Sequence, residues 1–431
     1  MPKIARMKVF KFGGASVKDA AAVQNVADIL QLFNGEKLAI VISAMGKTTN
    51  AMEQIAQDFW DRDQSSFEER VEERRAFHLE IMNTLFENQD NAIFNEINGV
   101  FDQLKVHYDD LVSENFDFEY DQIVSLGEVV STKIISAYLS SRGLACRWAD
   151  AREMIATDRK FREAEVDWEL STAHFEKRFL PNYEEVDIQI TQGFIGSNDK
   201  STTTLGREGS DFTAGIIAYC CDAESVTIWK DVPGMLNADP KWFDNTVKLD
   251  QISFREAIEL SYYGASVIHP KTVKPLQNKN IPLHVKSFVN PEEAGTVIQQ
   301  SMSSDHLIPS FIFKMDQVLF SFTPKDFSFI VEENLSDIFD RLSKVNAKIN
   351  LMQNSALSFS ILVDAKKVNI PQILEEFEDS YQVKFNEGLE LVTIRHYDQA
   401  TIDRVTVDKD VLLQQKTRET ARLIVKQKIM I

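Results

Sequence analysis

Residues 1–300 read as strands that alternate with helices, and this alternation restricts the possible fold more than any other feature. Short apolar runs such as KVFKF, KLAIVIS and SVTIWK are typical of buried strands. Between them lie stretches such as GEVVSTKIISAYLSSRG, with apolar residues at helical spacing. Strands that alternate with helices form a mostly parallel sheet covered on both faces. The sequence therefore predicts an α/β fold, a three-layer sandwich around such a sheet, with a capping box from Ser16 to Asp19 opening its first helix.

The pattern changes near residue 300, where the polar stretch NPEEAGTVIQQSMSSDH predicts a connection between two domains. The segments after it read strand, helix, strand, strand, helix, strand, the order of a compact α+β domain. The last 30 residues are strand-like. A chain of 431 residues is too long for a single core, so we expect one domain over 1–300 and a second region over 301–431.

Glycine-rich segments follow the predicted strands at several places. Ligands of open α/β sheets gather beyond the carboxyl ends of the strands, where such segments meet. One glycine loop is weak support, because tight turns need glycine in any case. Several loops at one sheet edge predict an anion or phosphate site, and they contain Gly13-Gly14, Gly46, Gly193 to Gly196, Gly206 to Gly209 and Gly234.

Single polar residues leave alternatives open at this stage. Lys11 ends an apolar strand before two glycines, so it is either an edge lysine in solvent or a cation aimed at phosphate. AMGKTT is not a Walker A motif, because Val41 stands where that motif needs glycine. Glu128 lies in the first turn of a helix, where the helix dipole favours an acid without any catalytic role. His269 precedes a proline in a turn, and we do not expect it to act as a base.

Composition excludes several classes of partner. The net charge of −19, from 47 basic and 66 acidic side chains, opposes binding to nucleic acid or to an anionic membrane. Three cysteines (Cys146, Cys220 and Cys221) are typical of a reducing compartment, and their spacing does not match a zinc site. The first ten residues contain no apolar signal region. We therefore expect a cytoplasmic protein.

Taken together, the motifs resemble those of the aspartokinases, members of the amino-acid kinase family, and in particular the monofunctional, lysine-sensitive type. The resemblance spans residues 8–300 and rests on KFGGASV, SAMGKTTN, SLGEVVST, TQGFIGS, TTTLGREGSDFTA, WKDVPGMLNADP, ELSYYGASVIHP and NPEEAGT, in the family's order. It implies phosphorylation of the side-chain carboxylate of L-aspartate to L-4-aspartyl phosphate, the first step of lysine, threonine and methionine biosynthesis. It also implies ATP, with Mg²⁺ bound through the ATP phosphates, and a homodimer or higher oligomer formed through C-terminal ACT-like domains.

The resemblance assigns roles to individual residues. It implies a catalytic set of Lys11, Arg207 and Asp211. It implies that the amino-acid substrate is bound by Arg207 and by Ser43, Thr49, Glu128, Gly209 and Ser210, with Glu128 receiving the α-amino group. It places the nucleotide against Lys11, Phe12, Gly13, Gly14, Lys230, Asp231, Leu236, Lys241, Ser266 and Val267, and it implies no protein-bound metal.

Five positions depart from the family pattern. Ala15 replaces a threonine, and Glu208 puts an acid beside Arg207 where the family has glycine. The other three, Lys230, Leu236 and Ser266, alter the nucleotide segments. These changes leave the catalytic set intact and bear on the affinity for ATP and aspartate.

The C-terminal region resembles paired ACT domains. The first unit covers 316–395; the second, 389–431, is abbreviated, without room for a full first helix. Family members that sense lysine commonly carry an aspartate where this chain has Asn350. The resemblance therefore predicts weak or no inhibition by lysine.

Two alternatives remain open. One is a sister kinase that acts on glutamate or acetylglutamate, although an N-acetylated substrate has no charged amine for Glu128. The other is a non-catalytic amino-acid sensor with the same fold.

Overall fold

The chain packs as two units. The computed structural model describes residues 7–88, 92–110, 113–198, 201–265, 268–326 and 328–428. The first unit consists of Met1–Met235, Lys248–Ser261 and Ser266–Asp305. The second consists of Leu236–Val247, Tyr262–Ala265 and His306–Ile431.

A mostly parallel sheet forms the centre of the first unit. Its eight described strands have the order β3-β4-β2-β1-β7-β9-β10-β8, and the β9–β10 pair is antiparallel. Two more strands, β5 and β6, form a separate antiparallel pair. The strands are β1 (Lys8–Phe12), β2 (Leu38–Ile42), β3 (Cys146–Trp148), β4 (Ile188–Gln192), β5 (Ile195–Ser197), β6 (Thr202–Thr204), β7 (Ser225–Lys230), β8 (Gln251–Ser253), β9 (Leu283–Ser287) and β10 (Thr296–Gln299).

Helices cover both faces of this sheet, as the alternation predicts. They are α1 (Ala20–Gln31), α2 (Thr48–Asp61), α3 (Gln64–Leu85), α4 (Ala92–Asp109), α5 (Phe116–Val124), α6 (Leu126–Ser141), α7 (Trp168–Arg178), α8 (Gly209–Cys220), α9 (Phe254–Tyr263) and α10 (Pro270–Lys279).

Strand β1 shows how the sheet places a functional residue. Its side chains alternate between the two faces. Phe10 and Phe12 join the core formed with helices α1 to α6. Lys11 points to the opposite face, where α8 packs on β1. A strand buried on both faces therefore carries one cation into the layer occupied by α8.

The first helix begins later than the capping box predicts, so that expectation is wrong. Helix α1 has Asp19 as its N-cap, and the Asp19 carboxylate accepts a hydrogen bond from the Ala22 N–H at 2.8 Å. Ser16 lies in a preceding 3-10 turn, Gly14–Val17. Aspartate is as good an N-cap as serine. In this chain the Asp19 carboxylate makes the capping hydrogen bond, so the helix begins after Asp19.

The second unit contains one antiparallel sheet with two small helical layers. Its six described strands have the order β12-β13-β11-β14-β16-β15. The elements are β11 (Ser310–Pro324), α11 (Glu332–Lys344), β12 (Ile349–Asn354), β13 (Phe359–Asp364), α12 (Ile370–Phe377), β14 (Tyr381–Arg395), α13 (Gln399–Thr406), β15 (Lys409–Lys416) and β16 (Thr420–Gln427). The first six follow the predicted order.

The long strands β11 and β14 run through both halves of this sheet, and each half has its own helices. Their pairing changes register near Lys314 and Gln317, which divides the sheet into two halves. One half packs on α11 and α12. The other half packs on α13, the only described helix after β14, which has eight residues. This second half of the sheet therefore carries one short described helix.

One helical stretch in the described chain, Phe116–Ser141, is long and apolar enough to cross a membrane. The most apolar part of it is 78% buried inside the protein. The core helix of a soluble protein has the same character.

Candidate functional site

A cavity of about 930 Å³ lies at the carboxyl edge of the central sheet. The ends of β1 and β2 and the first turns of α2, α6 and α8 surround it. The lining includes acidic and basic side chains and residues of several loops. It consists of Lys11, Gly14, Ser43, Ala44, Gly46, Thr49, Asn50, Glu53, Asp117, Tyr120, Glu128, Lys160–Glu163, Phe194 and Gly206–Asp211.

Two lysines share one buried carboxylate at the inner end of the cavity. Lys11 Nζ lies 2.6 Å from Asp211 Oδ1, and Lys230 Nζ lies 3.6 Å from Asp211 Oδ2. Lys11 and Asp211 are both buried. Burial acts to raise the pKa of Asp211, but the two ammonium groups outweigh it and hold that pKa below its ordinary value. The group therefore carries two positive charges against one negative charge and can accept a further anion.

The two strand-end loops touch each other beside Lys11. A Cβ on Gly14 would lie 2.8 Å from the Gly46 carbonyl oxygen and 2.9 Å from that of Ala44. A Cβ on Gly13 would lie 3.2 Å from Lys11 Nζ. Only glycine at position 14 permits this approach of the backbones. Of the predicted glycine segments, those with Gly14, Gly46, Gly206 and Gly209 line this cavity, whereas Gly193, Gly196 and Gly234 do not.

Glu128 is a buried carboxyl group with spare hydrogen-bonding capacity. It is 2% exposed, and Oε1 accepts a long hydrogen bond from the Ala44 N–H at 3.4 Å. Oε2 has no hydrogen-bond partner among the described residues. Burial raises the pKa of Glu128 to about 8, because the Ala44 and Glu128 N–H groups and the Thr49 hydroxyl offset only part of the lost hydration. A ligand ammonium would satisfy this oxygen, so the interpretation of Glu128 as a mere helix-dipole acid does not account for its surroundings.

Helix α8 begins at the cavity with an unusual backbone conformation. Its N-cap is Glu208, which has φ 56° and no side-chain capping hydrogen bond. Arg207 and Glu208 are both exposed and line the cavity. Gly209 follows, and a Cβ there would lie 2.6 Å from the Phe194 ring. The turn thus places one arginine and the free N–H groups of a helix terminus at the same opening.

The predicted catalytic and substrate-binding residues line this cavity together, whereas the predicted nucleotide residues are dispersed. The Phe12 side chain lies in the core, stacked on Trp229 at 5.9 Å, so only its backbone is available to a ligand. Asp231 directly follows β7. Leu236 and Lys241 belong to a segment that packs with the second unit. Ser266 and Val267 lie outside the described residues.

Sequence reasoning missed one wall of the cavity. Tyr120 donates a hydrogen bond to Glu53 Oε1 at 2.5 Å, and both residues line the cavity. The loop Lys160–Glu163 lines it as well. No motif marks these residues. Phe194 lies within TQGFIGS, whose glycines indicate a turn. They do not indicate that Phe194 itself has a left-handed backbone, with φ 71°.

His269 lies at the N-terminus of helix α10. Its Nδ1 accepts a hydrogen bond from the Lys271 N–H at 3.2 Å and so caps helix α10.

Comparison with known proteins decides the family. The amino acid kinase family matches residues 6–287. The lysine-sensitive aspartokinase 3 of Escherichia coli is 30% identical over 400 residues, which span 91% of this chain and 87% of that protein. The chain belongs to the aspartokinases of the amino acid kinase family.

Solved aspartokinase structures align with nearly the full length of this chain. E. coli aspartokinase III in complex with aspartate and ADP, in the R-state, has a TM-score of 0.79 and 27% identity and covers 97% of this chain and 96% of its own. The same enzyme with lysine and aspartate, in the T-state, has a TM-score of 0.84 at 27% identity over 98% and 96% of the two chains. The predicted family, fold class and enzyme class, aspartate kinase, are confirmed.

Proposed function

We propose that this cavity binds ATP and L-aspartate and transfers the γ-phosphoryl group to the aspartate side-chain carboxylate. The observation that carries the proposal is the cavity itself, which joins the buried Lys11–Asp211 ion pair, a buried carboxyl with an unpaired oxygen and an exposed arginine. The products are ADP and L-4-aspartyl phosphate. A phosphate bond forms at the carboxylate oxygen as the bond to the ADP oxygen breaks.

The reaction requires alignment and charge neutralisation more than proton transfer. An aspartate side chain is already ionised at neutral pH, so the nucleophile needs no general base. The transferred phosphoryl group carries negative charge throughout. Lys11 Nζ supplies a cation at the glycine loops, and Asp211 holds that cation in place through the 2.6 Å ion pair. We therefore assign Lys11 to the transferred group and Asp211 to the orientation of Lys11.

The amino-acid substrate is recognised by its three charges. Arg207 can form a planar, bidentate pair with a carboxylate. Glu128 Oε2 is available to the α-ammonium group. Ser43 and Thr49 bring hydroxyls to the same cavity, and Gly209 and Ser210 present the N-terminus of α8 to an anion. A free α-amine is therefore part of the recognised group.

For the nucleotide we propose contacts with Lys11 to Gly14 and with Lys230 and Asp231, as the motifs imply. The residues predicted beyond them, Leu236, Lys241, Ser266 and Val267, stay predictions.

The described residues contain no group of three acidic, histidine or cysteine side chains that could hold a metal ion. Asp211, the acid at the lysine pair, is engaged by two ammonium groups. We therefore propose that Mg²⁺ would reach this site bound to the ATP phosphates, whose charge it would neutralise.

We also propose that residues 301–431 form an ACT-like regulatory region. Its first unit covers 316–395, and its second unit, 389–431, is abbreviated. Two neighbouring half-sheets with their own helices support it. A homodimer or higher oligomer formed through this region, and a cytoplasmic location, stay predictions.

A coupled assay of ADP release tests the function. We expect turnover with MgATP and L-aspartate, little with L-glutamate and none with N-acetylglutamate. The Lys11→Ala variant should lose at least about 100-fold in kcat, since it removes the cation at the transferred group. Turnover of glutamate in preference to aspartate would assign the chain to a sister kinase. Aspartate binding without any turnover would assign it to the sensors.

A further inference from the structure

Asp121 is a fully buried carboxylate that lies outside the cavity lining and outside every motif considered above. It belongs to α5, the helix whose residues Asp117 and Tyr120 line the cavity. Its two oxygens accept hydrogen bonds from two other segments of the first unit. A carboxylate buried with several donors costs hydration and is retained where it fixes a geometry.

One partner of Asp121 is the tip of the loop that forms a cavity wall. The Arg162 N–H lies 3.0 Å from Asp121 Oδ2 and 3.2 Å from Oδ1. Arg162 has a left-handed backbone with φ 67°, and its N–H faces helix α5, which carries Asp121. The base of this loop is closed separately, by Asp158, which accepts hydrogen bonds from the Lys160 and Glu165 N–H groups. Asp121 is thus the buried anchor of the tip.

The other partner is the strand that leads into Arg207. The Thr204 N–H donates to Asp121 Oδ2 at 2.8 Å, and the Thr204 hydroxyl donates to Oδ1 at 2.7 Å. Two residues later, Gly206 packs against the loop tip, since a Cβ there would lie 3.1 Å from the Arg162 carbonyl oxygen. The same carboxylate therefore holds both the loop tip and the segment that carries Arg207.

We propose that Asp121 is a positioning residue for aspartate binding, which fixes the Lys160–Glu163 wall and the Arg207 turn against each other. Burial raises the pKa of Asp121 to about 6, and the Thr204 and Arg162 donors oppose this rise, so the group is mostly ionised at neutral pH and can accept all four hydrogen bonds. The proposal rests on the function proposed above, because it assigns Arg207 to the substrate carboxylate.

The neighbouring residue gives a matched control. Gln122 also ties α5 to β6: its Nε2 donates to the Thr202 carbonyl at 2.9 Å, and its Oε1 accepts from the Thr202 N–H at 3.2 Å. Among the described residues, neither Gln122 nor Thr202 lines the cavity. Removing the Gln122 side chain weakens the packing of α5 on β6. It leaves the hydrogen bonds of Asp121 to the loop tip and to Thr204 in place.

The test compares steady-state kinetics of Asp121→Asn and Gln122→Ala at pH 7.5. In Asp121→Asn one of the backbone N–H groups faces the new amide N–H₂, so we expect the KM for aspartate to rise on the order of tenfold or more, with the KM for ATP within about twofold of wild type. Gln122→Ala should lower the midpoint of thermal unfolding and leave both KM values within about twofold.

A milder variant covers the case in which Asp121→Asn fails to fold. Thr204→Val removes only the hydroxyl hydrogen bond, and we expect a rise of about threefold to tenfold in the KM for aspartate alone. An unchanged KM for aspartate in the folded Asp121 variant, or an equal rise in Gln122→Ala, would overturn the proposal. If the wild-type enzyme does not turn over aspartate, the proposed function fails instead, and the two failures are thereby distinguished.

Discussion

At the scale of single residues, Glu128 links its own protonation state to substrate binding. Its carboxyl is buried, one oxygen has no partner in the described chain, and its pKa is raised to about 8. In the folded protein it therefore holds a proton that an unfolded chain loses near pH 4.5. This preference stabilises the fold at low pH, and the contribution is lost as the pH rises towards 8. An ammonium group placed at Oε2 reverses the preference, because it favours the ionised form.

Aspartate binding should consequently release a proton. Between about pH 6 and pH 8 we expect the dissociation constant for aspartate to fall as the pH rises, approaching roughly tenfold per pH unit. Calorimetric titrations at pH 7 in two buffers of different ionisation enthalpy would measure the release, which should approach about one proton per aspartate. The Glu128→Gln variant is the control and should release none. Equal heats in the two buffers for the wild type would show that Glu128 does not receive the amine.

At the scale of an element, helix α8 contributes residues to the cavity and begins at an N-cap residue with a strained backbone. Its first turn supplies Asp211 to the lysine pair and its N-terminus opens on the cavity. The N-cap residue, Glu208, has a left-handed backbone that glycine adopts without cost. The family resemblance implies glycine at this position, so the acid brings both strain and a negative charge beside Arg207.

Two substitutions separate these effects. Glu208→Gln removes the charge and keeps the Cβ, whereas Glu208→Gly removes both. We expect each to lower the KM for aspartate about twofold to fivefold, since an exposed like charge near the substrate carboxylate is worth under about 1 kcal/mol. Only Glu208→Gly should change the unfolding midpoint, because only it relieves the left-handed backbone. An unchanged KM in both variants would mean that the carboxylate of Glu208 points away from the bound substrate.

At the scale of the whole molecule, periodicity and motif order predicted the architecture, and long-range contacts account for what they missed. Strand ends and glycine loops are local features, so the fold class indicated one sheet edge for Lys11 and for the loop that carries Arg207, whereas only the family resemblance assigned Glu128 to the site. Asp121 joins segments more than 40 residues away, and a side chain that acts through such contacts leaves no local pattern. The segment Leu236–Val247 illustrates the same limit, because it lies inside the predicted kinase domain and yet packs with the second unit. Phe243 of that segment stacks on Phe311 at 4.4 Å, a contact that only the folded chain creates.

The predicted response to lysine depends on residues of the second unit. Asn350 stands where lysine-sensing relatives commonly have an aspartate, and in this chain its amide is already engaged. Lys314 Nζ donates to Asn350 Oδ1 at 2.9 Å, and Asn350 Nδ2 donates to Gln317 Oε1 at 2.8 Å. Burial, together with nearby Arg422, lowers the pKa of Lys314, so a further ammonium group would enter a region that is already unfavourable for positive charge.

We therefore expect free lysine to inhibit the enzyme weakly or not at all. The measurement is a lysine titration of ADP release at an aspartate concentration near its KM, with threonine and methionine in parallel. Asn350→Asp supplies the missing charge and should strengthen binding of a lysine amine, by about 1.5–3 kcal/mol for a charged hydrogen bond, if Lys314 does not neutralise the new carboxylate first. Lys314→Met combined with Asn350→Asp removes that competition and should give the stronger inhibition of the two. Steep inhibition of the wild type at low lysine would refute the role given to Asn350, because it would show that an amide occupied by an internal ammonium still admits the effector.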